Sequence, residues 1–216
     1  MLSVQTFTFN AFEENTYLLY DETGEAVVID PGCSNREEEK ELTDFVKAKG
    51  LQVKLLLNTH CHVDHVLGNA FVKKSFQVPL LIHAKDESTL RAVKVYAPMY
   101  GFATYHEALP DRFLKEGEVL HFGNQQMKIL FLPGHAPGHV GFYHEEAACI
   151  ISGDVLFNRS IGRTDLPGGH FETLINSIQR ELFTLPDNVT VFPGHGPTTT
   201  IGEEKVENPF CAVSIR

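Results

Sequence analysis

No Cys-x-x-Cys pair occurs in this chain. Its four cysteines, Cys33, Cys61, Cys149 and Cys211, are scattered, so neither a disulfide framework nor a thiolate zinc site is indicated, and a reducing compartment fits. No apolar run approaches the ~18 residues of a membrane span. No basic residue precedes Arg36, so the cationic start of a secretory signal is missing as well. These absences lead us to expect a soluble, cytoplasmic protein with no membrane partner. Basic residues are scarce too: 18 Lys and Arg against 28 Asp and Glu give a net charge of -10. With no dense Lys/Arg stripe to override that field, polyphosphate would be repelled, and no nucleic-acid partner is expected. No low-complexity stretch or long linker divides the 216 residues, of which 43% are hydrophobic. Residues 1–216 are therefore expected to form a single domain around a substantial core.

Strands are expected at 3–9, 15–20 and 26–29, with Asp21-Glu22-Thr23-Gly24 as the turn before the last. Ser34 or Asn35 can cap a helix over 36–49 that Gly50 stops. A buried strand follows at 54–57, and helices are expected over 64–76, 84–95 and 171–185. Segments 118–122 and 125–132 make a hairpin about Gly123-Asn124, and later strands fall at 141–144, 148–152 and 189–192. Strands and helices thus occur in both halves, which implies an α/β sandwich.

Five apolar runs end in a polar residue able to bind metal. They are Val27-Val28-Ile29 before Asp30, Leu55-Leu56-Leu57 before His60, Ile129-Leu130-Phe131-Leu132 before His135, Cys149-Ile150-Ile151 before Asp154, and Val191-Phe192 before His195. In layered α/β folds the loops at the carboxyl ends of buried strands form the ligand crevice, so these residues are expected to share one site.

The densest of these segments is His60-Cys61-His62-Val63-Asp64-His65. In an extended loop His60 and His62 point to one side and can reach one ion, while Asp64 and His65 at the following turn can reach another. Each ion needs further protein ligands plus an open position. His135 completes the first set with His60 and His62, His195 completes the second with Asp64 and His65, and Asp154 is the candidate carboxylate bridge. Two divalent ions so placed lower the pKa of bound water and polarise a carbonyl, so no catalytic Ser or Cys is needed. Asp64 and Asp154 would be the catalytic carboxylates, Asp64 also orienting the hydroxide. A thiolate leaving group departs without a dedicated acid, which makes thioester hydrolysis chemically comfortable here.

At these residues the chain resembles the metallo-β-lactamase superfamily, with its T-H-x-H-x-D-H segment at 59–65 followed by Gly134-His135, Gly153-Asp154 and Gly194-His195. The Asp at the bridging position is similar to the glyoxalase II branch. Ser160-Ile161-Gly162-Arg163-Thr164-Asp165 and Pro193-Gly194-His195-Gly196-Pro197, through Glu207-Asn208-Pro209-Phe210, resemble the small bacterial glyoxalase II-like hydrolases. The resemblance implies an αββα four-layer sandwich, two mixed β-sheets flanked by helices. It also implies two divalent ions, zinc being expected and iron or manganese the alternatives, and a small-molecule thioester substrate of the hydroxyacyl-glutathione type. The helical C-terminal extension of full-length glyoxalase II is not expected, because 21 residues follow His195 and only Lys205 and Arg216 among them are basic. The alternative resemblance is to persulfide dioxygenases, through Asn58-Thr59-His60-Cys61-His62 and Gly162-Arg163-Thr164-Asp165. It implies one iron on His60, His135 and Asp154. A lactonase and a non-catalytic metal-binding protein are the remaining alternatives.

Four further residues are candidates for supporting or substrate roles. Asp30 either hydrogen-bonds a ligand histidine or merely ends its strand. His139 reads as structural or as a support for the ligands, since seven ligands already fill the site. Arg163 either meets a substrate carboxylate or pairs with Asp165 or Asp111. Tyr100, in a tyrosine-rich stretch, either lines the pocket or packs in the core. Cys61 should point away from its ligand neighbours and serve as packing.

Overall fold

Phe7 and Phe9 are buried while Thr6 and Thr8 between and beside them are exposed, the period-2 pattern of a strand with one face on a core. That strand, β1 (Ser3–Phe9), pairs antiparallel with β2 (Glu14–Tyr20), and β2 pairs antiparallel with β3 (Glu25–Ile29). The computed structural model describes residues 1–213. The chain falls into two units: Met1–Leu114 with His121–Gln126, and Lys115–Leu120 with Met127 onward.

In the first unit the sheet continues in parallel from β3 through β4 (Gln52–Leu57) and β5 (Leu80–His83) to β6 (Arg112–Leu114). Helix α1 (Arg36–Lys49) makes the crossover from β3 to β4. The Asn35 side chain accepts from the Glu37 and Glu38 amides, Gly50 at φ 65 ends the helix, and Leu42 and Val46 are its buried stripe. Both ends match the boundaries read from the sequence. The expected helix over 64–76 is instead broken into α2 (Val63–Val66) and α3 (Asn69–Phe76). In an unbroken helix the amides of Gly68 and Asn69 would donate to the carbonyls of Asp64 and His65. Here Gly68 donates to the Pro31 carbonyl at 2.7 Å, while Asn10 Nδ2 reaches the Asp64 carbonyl at 3.1 Å and Asn58 Nδ2 the His65 carbonyl at 3.0 Å. The break lets side chains from outside the helix hold the Asp64-His65 backbone. Helix α4 (Glu87–Tyr96) follows a short 3-10 turn over Ala84–Asp86, dividing the helix expected at 84–95.

The second sheet has the order β14 (Thr199–Thr200), β13 (Thr190–Pro193), β10 (Cys149–Gly153), β9 (Val140–His144), β8 (Gln125–Phe131), β7 (Val119–Phe122). It is mixed, because β10 and β13 run parallel while β8, β9 and β10 alternate. A small hairpin joins β11 (Leu156–Phe157) to β12 (Ser160–Ile161). Helix α5 (Phe171–Ser177) runs on into a π-helical turn, Ile178–Leu182. Together with α6 (Ile201–Glu207) it covers a core that includes Leu132, Ile150, Leu174, Ile178, Val191 and Ile201. Thr200 and Glu203 form a reciprocal capping box at the start of α6. The α/β class is therefore as expected, with two mixed sheets flanked by helices.

The β2–β3 turn carries a pH-sensitive tie within the first unit. Buried Asp21 accepts hydrogen bonds from the Thr23 amide (3.0 Å), the Asn124 amide (2.7 Å), Gln125 Nε2 (3.0 Å) and the Thr23 hydroxyl. Burial opposes ionisation, but these donors outweigh it and hold the carboxyl well below its ordinary range. A depressed folded-state value stabilises the fold above the unfolded pKa, and that contribution is lost as pH falls through the folded value. We expect wild-type thermal stability to fall from about pH 5 downward. Asp21→Asn should be less stable at pH 7 and show a shallower acid slope; parallel melting curves between pH 3 and 7 for the two proteins would refute this.

Candidate metal centre

The register of the sheets decides which candidate residues meet. In the first unit β3 and β4 are parallel neighbours with Ile29 beside Leu57, so Asp30 and the Asn58-Thr59-His60 loop leave the sheet side by side. In the second, β10 and β13 are parallel with Gly153 beside Pro193, so Asp154 and His195 emerge together. Strand β8, two places from β10 and parallel to it through β9, brings His135 to the same edge. All five apolar runs thus deliver their polar residue at a carboxyl end.

The first unit gathers His60, His62, Asp64 and His65. The ring centroids of His60 and His62 lie 4.7 Å apart, and those of His60 and His65 4.1 Å apart. His65 Nε2 is 3.6 Å from Asp64 Oδ2. Tautomers follow from the hydrogen bonds. Thr59 Oγ1 gives its one hydrogen to Asp30 Oδ2 at 2.5 Å, so His60 Nδ1, 3.1 Å from that hydroxyl, must donate to it. His65 Nδ1 likewise donates to Asp30 Oδ2 at 3.1 Å. Both imidazoles therefore present Nε2 lone pairs, the form a metal requires. Asp30, His60 and His65 also lie within 4.8 Å of one another in a chelate-like group. The Asp30 oxygens, however, are engaged by the Thr59 amide at 2.7 Å, its hydroxyl and His65. Asp30 thus directs its oxygens to Thr59 and to the Nδ1 side of His65. It sits at φ 49, a left-handed conformation that Asp tolerates.

The second unit gathers His135, Asp154 and His195 around a single oxygen. Asp154 Oδ2 is 3.5 Å from His135 Nε2 and 3.6 Å from His195 Nε2. Two donors on one tetrahedral ion with bonds of about 2.0–2.2 Å sit roughly 3.3–3.6 Å apart. The Asp154 oxygen meets that spacing toward two imidazoles at once. His135 Nδ1 donates to the Arg163 carbonyl at 2.8 Å, which again leaves Nε2 as the donor atom for an ion. The residues present fit divalent cations: His60, His65 and His135 are buried imidazoles with fixed tautomers, and Asp64 and Asp154 are carboxylates at ligand spacing.

The other candidates separate clearly. His139 is fully buried, and its Nε2 accepts from the Asp154 amide at 3.1 Å, so it holds Asp154 through the backbone. The Arg163 guanidinium makes a double 2.7 Å contact with Asp165, which lowers that carboxyl to about 2; the part of Arg163 that serves the site is its carbonyl. Asp111 pairs with Lys73 instead. Tyr100 is half-exposed and packs edge-on against Phe12 and Tyr96. Cys61 is fully buried; burial, and after it Asp86, push its thiol upward, so it is packing and not a nucleophile. Four supporting residues escaped the sequence reading. Asp86 accepts from the Cys61 amide at 2.7 Å, Asn58 and Asn10 hold the His65 and Asp64 carbonyls, and Glu14 lies behind His65. Burial holds the Glu14 carboxyl well above its ordinary range.

An α/β chain of two mixed sheets, with histidine and aspartate donors at strand ends, has the makings of a metallo-hydrolase. Residues 10–195 match the family model of the metallo-beta-lactamase superfamily, and the chain belongs to that superfamily. Its members hold divalent metals at a dinuclear site. The chain is 39% identical over 97% of its length to "Hydroxyacylglutathione hydrolase GloC" of Haemophilus influenzae, 98% of which is covered. Among solved structures it is similar to the BLEG-1 B3 metallo-beta-lactamase, with a TM-score of 0.89, 34% identity and coverage of 99% of this chain and 100% of that one. It is also similar to TTHA1623 in a di-iron-bound form, with a TM-score of 0.86, 39% identity and coverage of 96% and 100%. No helix among the described residues is long and apolar enough to cross a membrane.

Proposed function

We propose that the two donor sets serve one dinuclear centre, with His60, His62 and His135 on one ion, Asp64, His65 and His195 on the other, and Asp154 bridging. The observation that carries this is the single Asp154 oxygen placed at ligand spacing from two imidazoles. Two divalent ions held there would supply an activated water and polarise a substrate carbonyl. The chain's own residues do the rest. Asp30 and Thr59 fix the tautomers of His60 and His65, the Arg163 carbonyl fixes that of His135, and Asp64 can orient the attacking water.

The proposed reaction is hydrolysis of a thioester of the hydroxyacyl-glutathione type. Support comes from a relative so named that matches along nearly its whole length. The leaving-group chemistry agrees, since a thiol of pKa about 8.5 leaves as thiolate without a protein acid. Metal identity is open to zinc or iron, and the similar di-iron structure keeps iron in view. The test is thiol release from a hydroxyacyl-glutathione thioester by the purified, metal-analysed protein. We expect turnover that a chelator abolishes and two ions per chain restore. A protein with two bound ions and no turnover on a thioester panel would sink the substrate assignment, and turnover confined to lactones or β-lactams would replace it. One iron per chain with oxygen consumed on glutathione persulfide would select the oxygenase.

A further inference from the structure

Glu14 is fully buried, and among the described residues no lysine or arginine pairs with it. One carboxylate oxygen, Oε2, accepts from Thr16 Oγ1 at 2.9 Å, and that hydroxyl in turn accepts from the Gly32 amide at 2.9 Å. The other, Oε1, has no hydrogen-bond partner and lies 3.8 Å from His65 Nδ1. Asp30 Oδ2 takes the hydrogen of that same nitrogen at 3.1 Å. Space for the second carboxylate depends on Gly32, where an added Cβ would stand 2.1 Å from Glu14 Oε2 and 2.7 Å from the Asp64 carbonyl oxygen. Burying a carboxylate with one oxygen unpartnered is costly, and such groups call for an explanation. The ring it faces is the His65 imidazole, whose opposite nitrogen, Nε2, is the one left for a cation.

We propose that Glu14 is a positioning residue for the ion bound by His65. With Asp30 it flanks the Nδ1 side of the ring, and it places a second acidic group behind a metal-ligating imidazole. Asp30 sets the ring's tautomer. Glu14 limits its swing and strengthens the field that favours a cation at Nε2. This rests on the dinuclear reading above and makes a distinct claim, that one ion depends on Glu14 and the other does not. A purely structural Glu14, tying Thr16 and Gly32 together, would not discriminate between two ions.

The test titrates metal-free protein with Zn²⁺ against a chromophoric chelator and records melting of the metal-free form. Glu14→Gln keeps the size and the acceptor for Thr16 while removing the charge. We expect it to bind one of two ions about 10-fold more weakly, with the other within about twofold and the metal-free melting temperature not lowered, since an amide is cheaper to bury than a carboxylate. Asp30→Asn, which touches His65 directly and His60 through Thr59, should weaken both ions and so gives the contrast. Unchanged affinity at both ions in Glu14→Gln overturns the proposal. So does an equal loss at both, or a metal-free form that melts lower or fails to fold, because these mark a structural residue. A wild-type protein that takes up fewer than two ions refutes the dinuclear reading instead, and is recognised before any variant is measured.

Discussion

On the proposed dinuclear reading, Asp154→Asn should retain at most one tightly bound divalent ion per chain and lose hydrolytic turnover by on the order of 10³-fold, about 4 kcal/mol of transition-state stabilisation. The carboxylate's Oδ2 lies at ligand spacing from both His135 Nε2 and His195 Nε2. Two dications about 3.5–4 Å apart repel strongly unless an anion lies between them. An amide carries no charge and, in one of its two orientations, turns hydrogens toward the imidazoles. The fold should survive, because the tie from Asp154 to His139 runs through the backbone amide and is untouched. Metal analysis, steady-state kinetics and circular dichroism on one preparation decide the matter. Two ions per chain with a turnover number within tenfold of wild type would remove Asp154 from the bridging role.

What could be read from the sequence divides along physical lines. The ends of α1 were legible because Asn35 and Gly50 act locally, through a side-chain cap and a left-handed residue. The ligand candidates were legible because strand ends, Pro-Gly breaks and histidine spacing are all local signals. The broken helix at 64–76 was not, because the groups that compete for its carbonyls, Asn10 and Asn58, come from outside it. Short strands such as β6 and β14 have too few residues to show a period. The supporting carboxylates were hidden for a related reason. Glu14 and Asp86 become recognisable only when the fold buries them against the His60–His65 segment, and in sequence each looks like a surface acid. Arg163 was singled out for its charge, yet its carbonyl is the part that orients His135. No property of the side chain announces a backbone role.

The donor sets share a design. In each, an imidazole's Nδ1 hydrogen is committed to an oxygen that is itself held in place: Asp30 for His65, Thr59 for His60, the Arg163 carbonyl for His135. Fixing the tautomer in advance means the metal-free protein already points lone pairs where cations would sit, so less ordering accompanies binding. Substitutions that disturb these holders should therefore lower metal affinity even where no ligand is altered.

Gly162→Ala carries that expectation furthest. A Cβ at Gly162 would stand 2.0 Å from the Asp154 carbonyl oxygen and 3.0 Å from His135 Nδ1. The obstacle is backbone on one side and an orienting contact on the other, so neither a rotamer change nor a flexible side chain can relieve it. Residue 162 must move, and the adjacent Arg163 carbonyl, which receives the His135 hydrogen, moves with it. One methyl group thus displaces Asp154 and loosens the His135 imidazole together. We expect a loss of about 3 kcal/mol, a melting temperature lower by roughly 6–12 °C, and incomplete metal uptake at temperatures where the variant is still folded. Gly117→Ala is the control for backbone strain alone, since Gly117 has φ 71 and nothing within 4 Å of an added Cβ. It should cost about 1 kcal/mol and leave metal binding unchanged. If the two variants melt together and load equally, Gly162 is not the close-packed support for Asp154 and His135 that its surroundings indicate.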